Sequence, residues 1–158
     1  MTPAARTQAA IGLLTAISDE ANISADKIAT EWFRKRRYAG SKDRAWVLFL
    51  VFSVLRRRGE LDWALKIAEP SARERILAAL VNIEQMDFSA ISSSFREEKY
   101  GPDPLSLAEE KLVKTLEDKD LNLYPPDWVK ANVPKQLSNL LLTSLGRDWI
   151  SELAGLAE

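Results

Sequence analysis

The chain has 158 residues, of which 46% are hydrophobic, and this length and composition predict one globular domain with a buried core. It contains neither cysteine nor histidine, which excludes disulfides, thiolate and imidazole metal ligands and the usual general base. The net charge of −1 hides an asymmetry, because residues 1–58 carry eleven Lys and Arg against five Asp and Glu, whereas residues 59–158 carry eleven against eighteen. We therefore expect a non-enzymatic domain of a reducing cytoplasm, basic in its first part.

Two predicted helices occupy the start of the chain. Thr2 followed by Pro3 is typical of a helix start, and this helix is expected to run to about Asp19. Ser24 is expected to cap a second helix that ends at Gly40, a residue type that commonly follows a helix C-terminus.

The third predicted helix runs from Lys42 to about Arg58, with Ser41 as its cap and Gly59 as its stop. Residues 46–55 are apolar nearly all round, which predicts a helix buried on every side. That run is about half the length of roughly 20 residues that a membrane span requires. We therefore expect this helix to form the centre of a bundle, with no membrane partner.

Helical patterns continue to the end of the chain. Capping signals at Ser71, Asp87 and Ser106 precede apolar residues at helical spacing, and Ser106 forms a predicted capping box with Glu109. Beyond a charged connector, residues 116–128, the chain is expected to end with helical pieces that begin near Pro126 and Pro134. Since no segment alternates as a strand does, the sequence predicts an all-α bundle of about seven or eight helices in a single domain, residues 1–158.

Nine cations are concentrated at the ends of the second and third predicted helices. Cations in a last helical turn complement the helix dipole, but this accounts for one or two per helix and not for four or three in succession. Lys42 and Arg56 are fourteen residues apart, so they share a helix face at a separation of about 21 Å. The pattern predicts a stripe for a phosphate backbone, and a solvated or protein-facing surface is the alternative. The residues of this basic stripe, our candidate nucleic-acid-binding residues, are Arg34, Lys35, Arg36, Arg37, Lys42, Arg44, Arg56, Arg57 and Arg58.

Aromatic side chains lie close to the stripe. Trp46 and Phe49, together with Ser53, fall near the line between Lys42 and Arg56, where they would stack on bases or pack beneath a partner. Membership of the hydrophobic core is the preferred interpretation of these aromatic residues. The same interpretation applies to Trp32, Trp63, Trp128 and Trp149.

No constellation in the sequence indicates chemistry. The six glycines are isolated, so no Gly-rich phosphate loop is present. The carboxylate pairs Glu97-Glu98, Glu109-Glu110 and Asp118-Asp120 are expected to be solvated charge. We predict no catalytic, cofactor-binding or metal-binding residue.

The segment AGSKDRAWVLFLVFSVLRRRGELDW, residues 39–63, resembles the signature segment of the N-terminal domain of the RsmB/Nop/Sun family of ribosomal RNA cytosine-5 methyltransferases. The family's run of Asp-Arg-Ala, an apolar helix, Val-Leu-Arg-Arg-Arg and Leu-Asp-Trp is matched at residues 43–45, 54–58 and 61–63. The similarity extends to three further segments. They are residues 2–14, residues 31–40 and YPPDW at Tyr124–Trp128.

The resemblance implies a NusB-like all-α fold that holds ribosomal RNA for a following S-adenosylmethionine-dependent domain. That catalytic half carries paired cysteines, whereas this chain has none and ends at Glu158, where the half is expected to begin. The implied protein is a non-catalytic cytoplasmic RNA-binding domain without a cofactor of its own, and S-adenosylmethionine belongs to the missing domain. Its implied partners are ribosomal RNA and its own C-terminal methyltransferase domain, not DNA. The alternative is a stand-alone NusB-like protein-interaction or antitermination adaptor.

Overall fold

The computed structural model describes residues 1–20, 22–118 and 125–155, and within these ranges all regular structure is helical, which confirms the all-α class. Ten α-helices are present there, more than the seven or eight expected, because the final part of the chain forms three short helices. In chain order they are α1 (Pro3–Asp19), α2 (Ala25–Arg34), α3 (Ser41–Arg56), α4 (Arg58–Leu65), α5 (Ala72–Asn82), α6 (Phe88–Ser94), α7 (Leu107–Glu117), α8 (Asp127–Lys130), α9 (Ser138–Leu145) and α10 (Trp149–Ala154). Among the described helices, none is both long and apolar enough to cross a bilayer. Tyr124 of the YPPDW motif, Asp120 and the final residue, Glu158, lie outside the described residues.

Five predicted helix starts are confirmed, four of them by a side-chain cap; Ser24 is the N-cap of α2 without such a bond. Ser71 and Ser106 each form a complete capping box with the glutamate three residues later. Thr2 accepts a hydrogen bond from the Ala5 amide, and Asp87 accepts one from the Ala90 amide. Each bond joins residues within one turn, so the local sequence is sufficient to place it.

The predicted boundary between the second and third helices is wrong. α2 ends at Arg34 rather than Gly40, and Gly40, not Ser41, is the N-cap of α3. Residues 35–40 form tight turns in which Ala39 is buried and its carbonyl accepts a hydrogen bond of 2.8 Å from Arg44 Nε. The packing of this turn against the core therefore ends the helix before the glycine signal.

Gly59 does not stop a helix, because it lies inside α4, which begins directly after the bend at Arg57. The Gly59 amide donates a hydrogen bond of 2.8 Å to Asn132 Oδ1. A Cβ atom at Gly59 would lie 3.0 Å from the same oxygen, so glycine permits this close approach. The contact joins α4 to the segment that follows α8.

The centre of the bundle is α5, not α3 as expected. Residues 75–81 of α5 are all buried, and the helix packs against α1, α3, α4 and α7. Ala78 and Ala79 contribute small side chains that allow neighbouring helices to approach closely. α3 buries Leu50 and Val54 against this core but leaves one face in solvent, where Phe49 is 50% exposed.

The final helices attach to the bundle through α4. The Trp63 and Trp128 rings pack edge to face, with centroids 6.1 Å apart. Of the four tryptophans expected in the core, Trp149 is buried, Trp32 and Trp128 are half-buried, and Trp63 is exposed. The expectation is thus correct for Trp149, partly correct for Trp32 and Trp128, and wrong for Trp63.

A part-buried ion pair joins α5 to α7. Arg73 Nε lies 2.6 Å from Glu109 Oε1, and Arg73 Nη2 donates to the Asp103 carbonyl at 2.9 Å. The expectation that Glu109 is merely solvated charge is therefore wrong. Desolvation acts to raise the pKa of Glu109, but hydrogen bonds from Arg73 and from Ser106 outweigh it, so the pKa lies below its ordinary value of 4.5.

Glu109→Gln is expected to lower the free energy of unfolding at pH 7 by about 1 kcal/mol, because the charge-assisted bond is lost while glutamine retains the capping box. A lowered carboxyl pKa contributes stability that is complete above pH 4.5 and is lost as the pH falls through the folded-state pKa. The difference between wild type and variant should therefore shrink as the pH is lowered below 4.5, as measured by urea unfolding curves. The neighbouring Glu110→Gln is the control, and a difference that persists unchanged in acid would contradict the prediction.

Candidate nucleic-acid interface

The four consecutive cations at the C-terminal end of α2, residues 34–37, point to different sides of the chain. Arg34 lies with Arg44 at a cavity of about 650 Å³ between α2 and α3. Lys35 is exposed on the side of α2 that faces α1, away from this cavity. Arg37 is exposed in the turn that follows α2. Arg36 folds back onto α2. The structure therefore brings Arg34 and Arg44 together, but residues 34–37 do not share one continuous surface.

One face of α3 carries the predicted line of charge. Lys42 and Arg56 are both exposed at opposite ends of this face, and Phe49 is exposed between them. Ser53 is buried and does not belong to the surface, although its hydroxyl lies 3.4 Å from Arg56 Nη2. Trp46 is half-buried, and its indole nitrogen donates to Glu84 at 2.8 Å. Phe49 is thus the residue of this aromatic pair that faces solvent.

Three stripe arginines are held by carboxylates of nearby residues. Arg34 lies 2.7 Å from Glu31. Two hydrogen bonds, of 2.9 and 2.6 Å, join Arg57 to Glu60 at the start of α4. Arg58 Nε lies 3.6 Å from Asp62 Oδ2. A phosphate would have to compete with these carboxylates, so the three arginines are less available than the sequence suggests.

Two further stripe arginines contact aromatic rings and backbone carbonyls. The Arg36 guanidinium lies 3.7 Å from the centroid of Trp32 and donates to the Trp32 carbonyl at 3.2 Å. The Arg44 guanidinium lies 5.8 Å from the centroid of Phe33 and bonds the carbonyl of the α2–α3 turn. These contacts hold the side chains in place without neutralising their charge.

Six stripe residues have no carboxylate partner among the residues that the structure describes, and the four that remain besides Arg36 and Arg44 are exposed and lie over no aromatic ring. We call these four the unpaired cations. They are Lys35, Arg37, Lys42 and Arg56. Their exposure and their unbalanced charge make them the part of the stripe best suited to bind an anion from solution.

Sequence reasoning missed two exposed aromatic residues near the stripe. Tyr38 is 71% exposed in the α2–α3 turn, and Tyr100 is 67% exposed in the loop before α7. Each tyrosine directly follows a cation and shortly precedes a glycine, in Arg-Tyr-Ala-Gly and Lys-Tyr-Gly. That repeated pattern was the available signal, because a basic residue and an aromatic residue in a turn commonly serve binding.

Among the residues that the structure describes, the acidic side chains show no arrangement typical of a metal centre. Across residues 1–20, 22–118 and 125–155, no group of three or more carboxylates is placed to hold a metal ion.

Comparisons of the chain with protein-family profiles, with curated proteins and with solved structures give no match. A functional proposal therefore rests on the charge and exposure of the basic stripe and on the motif resemblance of residues 39–63.

Proposed function

We propose that the chain is a non-catalytic, NusB-like RNA-binding domain that positions ribosomal RNA for the catalytic domain of an S-adenosylmethionine-dependent cytosine-5 methyltransferase in the cytoplasm. The observation that carries the RNA-binding proposal is the set of unpaired cations, since exposed positive charge without internal neutralisation attracts phosphates. The resemblance of residues 39–63 to the methyltransferase segment supports the choice of ribosomal RNA over DNA.

The geometry of α3 favours an extended polyanion over a small anion. Lys42 and Arg56 lie at the two ends of one exposed face, about 21 Å apart along a helix that rises 1.5 Å per residue. This length matches several successive phosphates of a nucleic acid strand. The exposed Phe49 between them offers a ring on which a base would stack.

The test removes the unpaired cations together. Replacement of Lys35, Arg37, Lys42 and Arg56 by alanine is expected to weaken binding to a labelled ribosomal RNA fragment at least tenfold, because up to about four phosphate contacts are lost. The salt dependence should flatten in proportion, by about 0.7 to 0.9 in log–log slope for each lost contact. Fluorescence anisotropy titrations between about 50 and 200 mM salt measure both quantities.

A matched variant removes the same charge elsewhere. Its four substitutions are Lys66→Ala, Lys111→Ala, Lys130→Ala and Lys135→Ala, all at exposed positions outside the stripe. This variant should retain the wild-type salt dependence of RNA binding, because net charge alone is not the cause of binding. An unchanged slope in the first variant, or an equal loss in both, would refute the proposed site.

A second candidate function is protein docking through the same region. The cavity between α2 and α3 is lined by Phe33, Leu48 and Phe52, and Phe49 is exposed beside them on α3. These apolar groups suit the catalytic domain or another protein partner. Wild-type protein that binds ribosomal RNA no better than an unrelated protein of similar charge would favour this function.

A further inference from the structure

A cleft of about 850 Å³ lies between α1, the C-terminal end of α2 and the loop around residue 99. Its floor consists of small residues on one face of α1, namely Ala5, Ala9 and Gly12. Small side chains at this spacing leave room above the helix that larger residues would fill. The volume lies in the range of sites for small organic ligands.

Three aromatic residues border the cleft. Trp32 on α2 is half-buried, whereas Tyr38 and Tyr100 are exposed on the two sides. Neither tyrosine hydroxyl has a hydrogen-bond partner within the described ranges. Both rings contribute little to the core, and they leave large apolar faces free for a planar ligand.

The cleft also has cations at its edge. Arg36 is stacked on Trp32, and Lys99 Nζ lies 5.3 Å from the centroid of Tyr100. Neither cation has a carboxylate partner in the part of the chain that the structure describes. Arg37, one of the unpaired cations, directly precedes Tyr38.

One carboxylate lines the cleft, and its charge is partly balanced. Glu98 accepts hydrogen bonds from the Thr2 hydroxyl and from Arg96, whose Nη2 lies 3.1 Å away. The bond from Thr2 is the largest cause that lowers the pKa of Glu98, and with the contribution of Arg96 it outweighs the opposing effect of burial. Positive charge from Arg36 and Lys99 therefore exceeds the negative charge of Glu98, which Arg96 already partly balances.

We propose that this cleft binds an unpaired base of single-stranded RNA, an inference that rests on the proposed function and specifies its ligand. Tyr38 and Tyr100 stack on the base, and Arg36 and Lys99 contact the flanking phosphates. The side-chain amide of Gln8, which also lines the cleft, offers a donor and an acceptor to the edge of the base. A base within a duplex is already stacked and paired, so it cannot enter.

The test compares single-stranded and double-stranded RNA of the same sequence. Tyr38→Ala with Tyr100→Ala is expected to weaken binding to a labelled single strand of about ten nucleotides by tenfold or more, since base–aromatic stacking is lost. Affinity for the blunt-ended duplex should not change. Tyr38→Phe with Tyr100→Phe should retain the single-strand affinity, because the rings remain.

A matched control replaces Leu107 and Leu140 by alanine, two residues that are 78% and 62% exposed outside the cleft. This variant should bind both RNAs as the wild type does, and thermal melts should show all variants folded. Wild-type affinity of the tyrosine-to-alanine variant for the single strand, or an equal loss on single strand and duplex, would overturn the cleft site but leave the proposed function standing. Absence of salt-dependent binding of either RNA by the wild type would overturn both.

Discussion

Leu77→Ala is expected to lower the free energy of unfolding by about 3 kcal/mol, because it removes a side chain from the centre of the core and leaves a cavity. Leu77 has no exposed surface and lies on α5, which packs against four other helices. Urea unfolding followed by far-ultraviolet circular dichroism measures the change as a lower midpoint at an unchanged m value.

The control for Leu77 is the same substitution at an exposed leucine. Leu140 on α9 is mostly in solvent, so Leu140→Ala should change the free energy of unfolding by less than about 0.5 kcal/mol. Two leucines with identical chemistry thus differ because of burial alone. Losses of similar size at the two positions would contradict the position of α5 at the centre of the fold.

Arg75→Ala is expected to lower the free energy of unfolding by about 2 kcal/mol, because it leaves the Asp62 carboxylate without its main partner. Arg75 is buried and makes two hydrogen bonds to Asp62, of 2.7 and 3.0 Å, which join α5 to α4. Asp62 is part-exposed, so water compensates some of the loss. The same urea unfolding measurement tests this value.

Arg58→Ala is the control, because Arg58 approaches the same carboxylate from solvent at 3.6 Å. An exposed pair of this kind contributes little, so the expected loss is below about 0.5 kcal/mol. A loss at Arg58 equal to that at Arg75 would show that the exposed pair is structural. A small loss would mean that Arg58 can exchange Asp62 for a phosphate at little cost to the fold.

The basic stripe illustrates how far a sequence pattern can predict a binding surface. Helical periodicity correctly places Lys42 and Arg56 on one exposed face of α3. It cannot show that Arg57 and Arg58 meet Glu60 and Asp62, because these contacts depend on where α4 begins. The number of cations was therefore evident from the sequence, but their availability was not.

The sequence by itself determined the helical class and the starts of α1, α5, α6 and α7. These starts depend on caps such as Ser71 and Ser106, whose hydrogen bonds reach no further than three residues along the chain. The tertiary structure alone decided that α5 is central and that α2 ends at Arg34, because burial depends on which helices pack together. It also brings Tyr38 and Tyr100 to one cleft across a long stretch of chain, a proximity that no local pattern encodes.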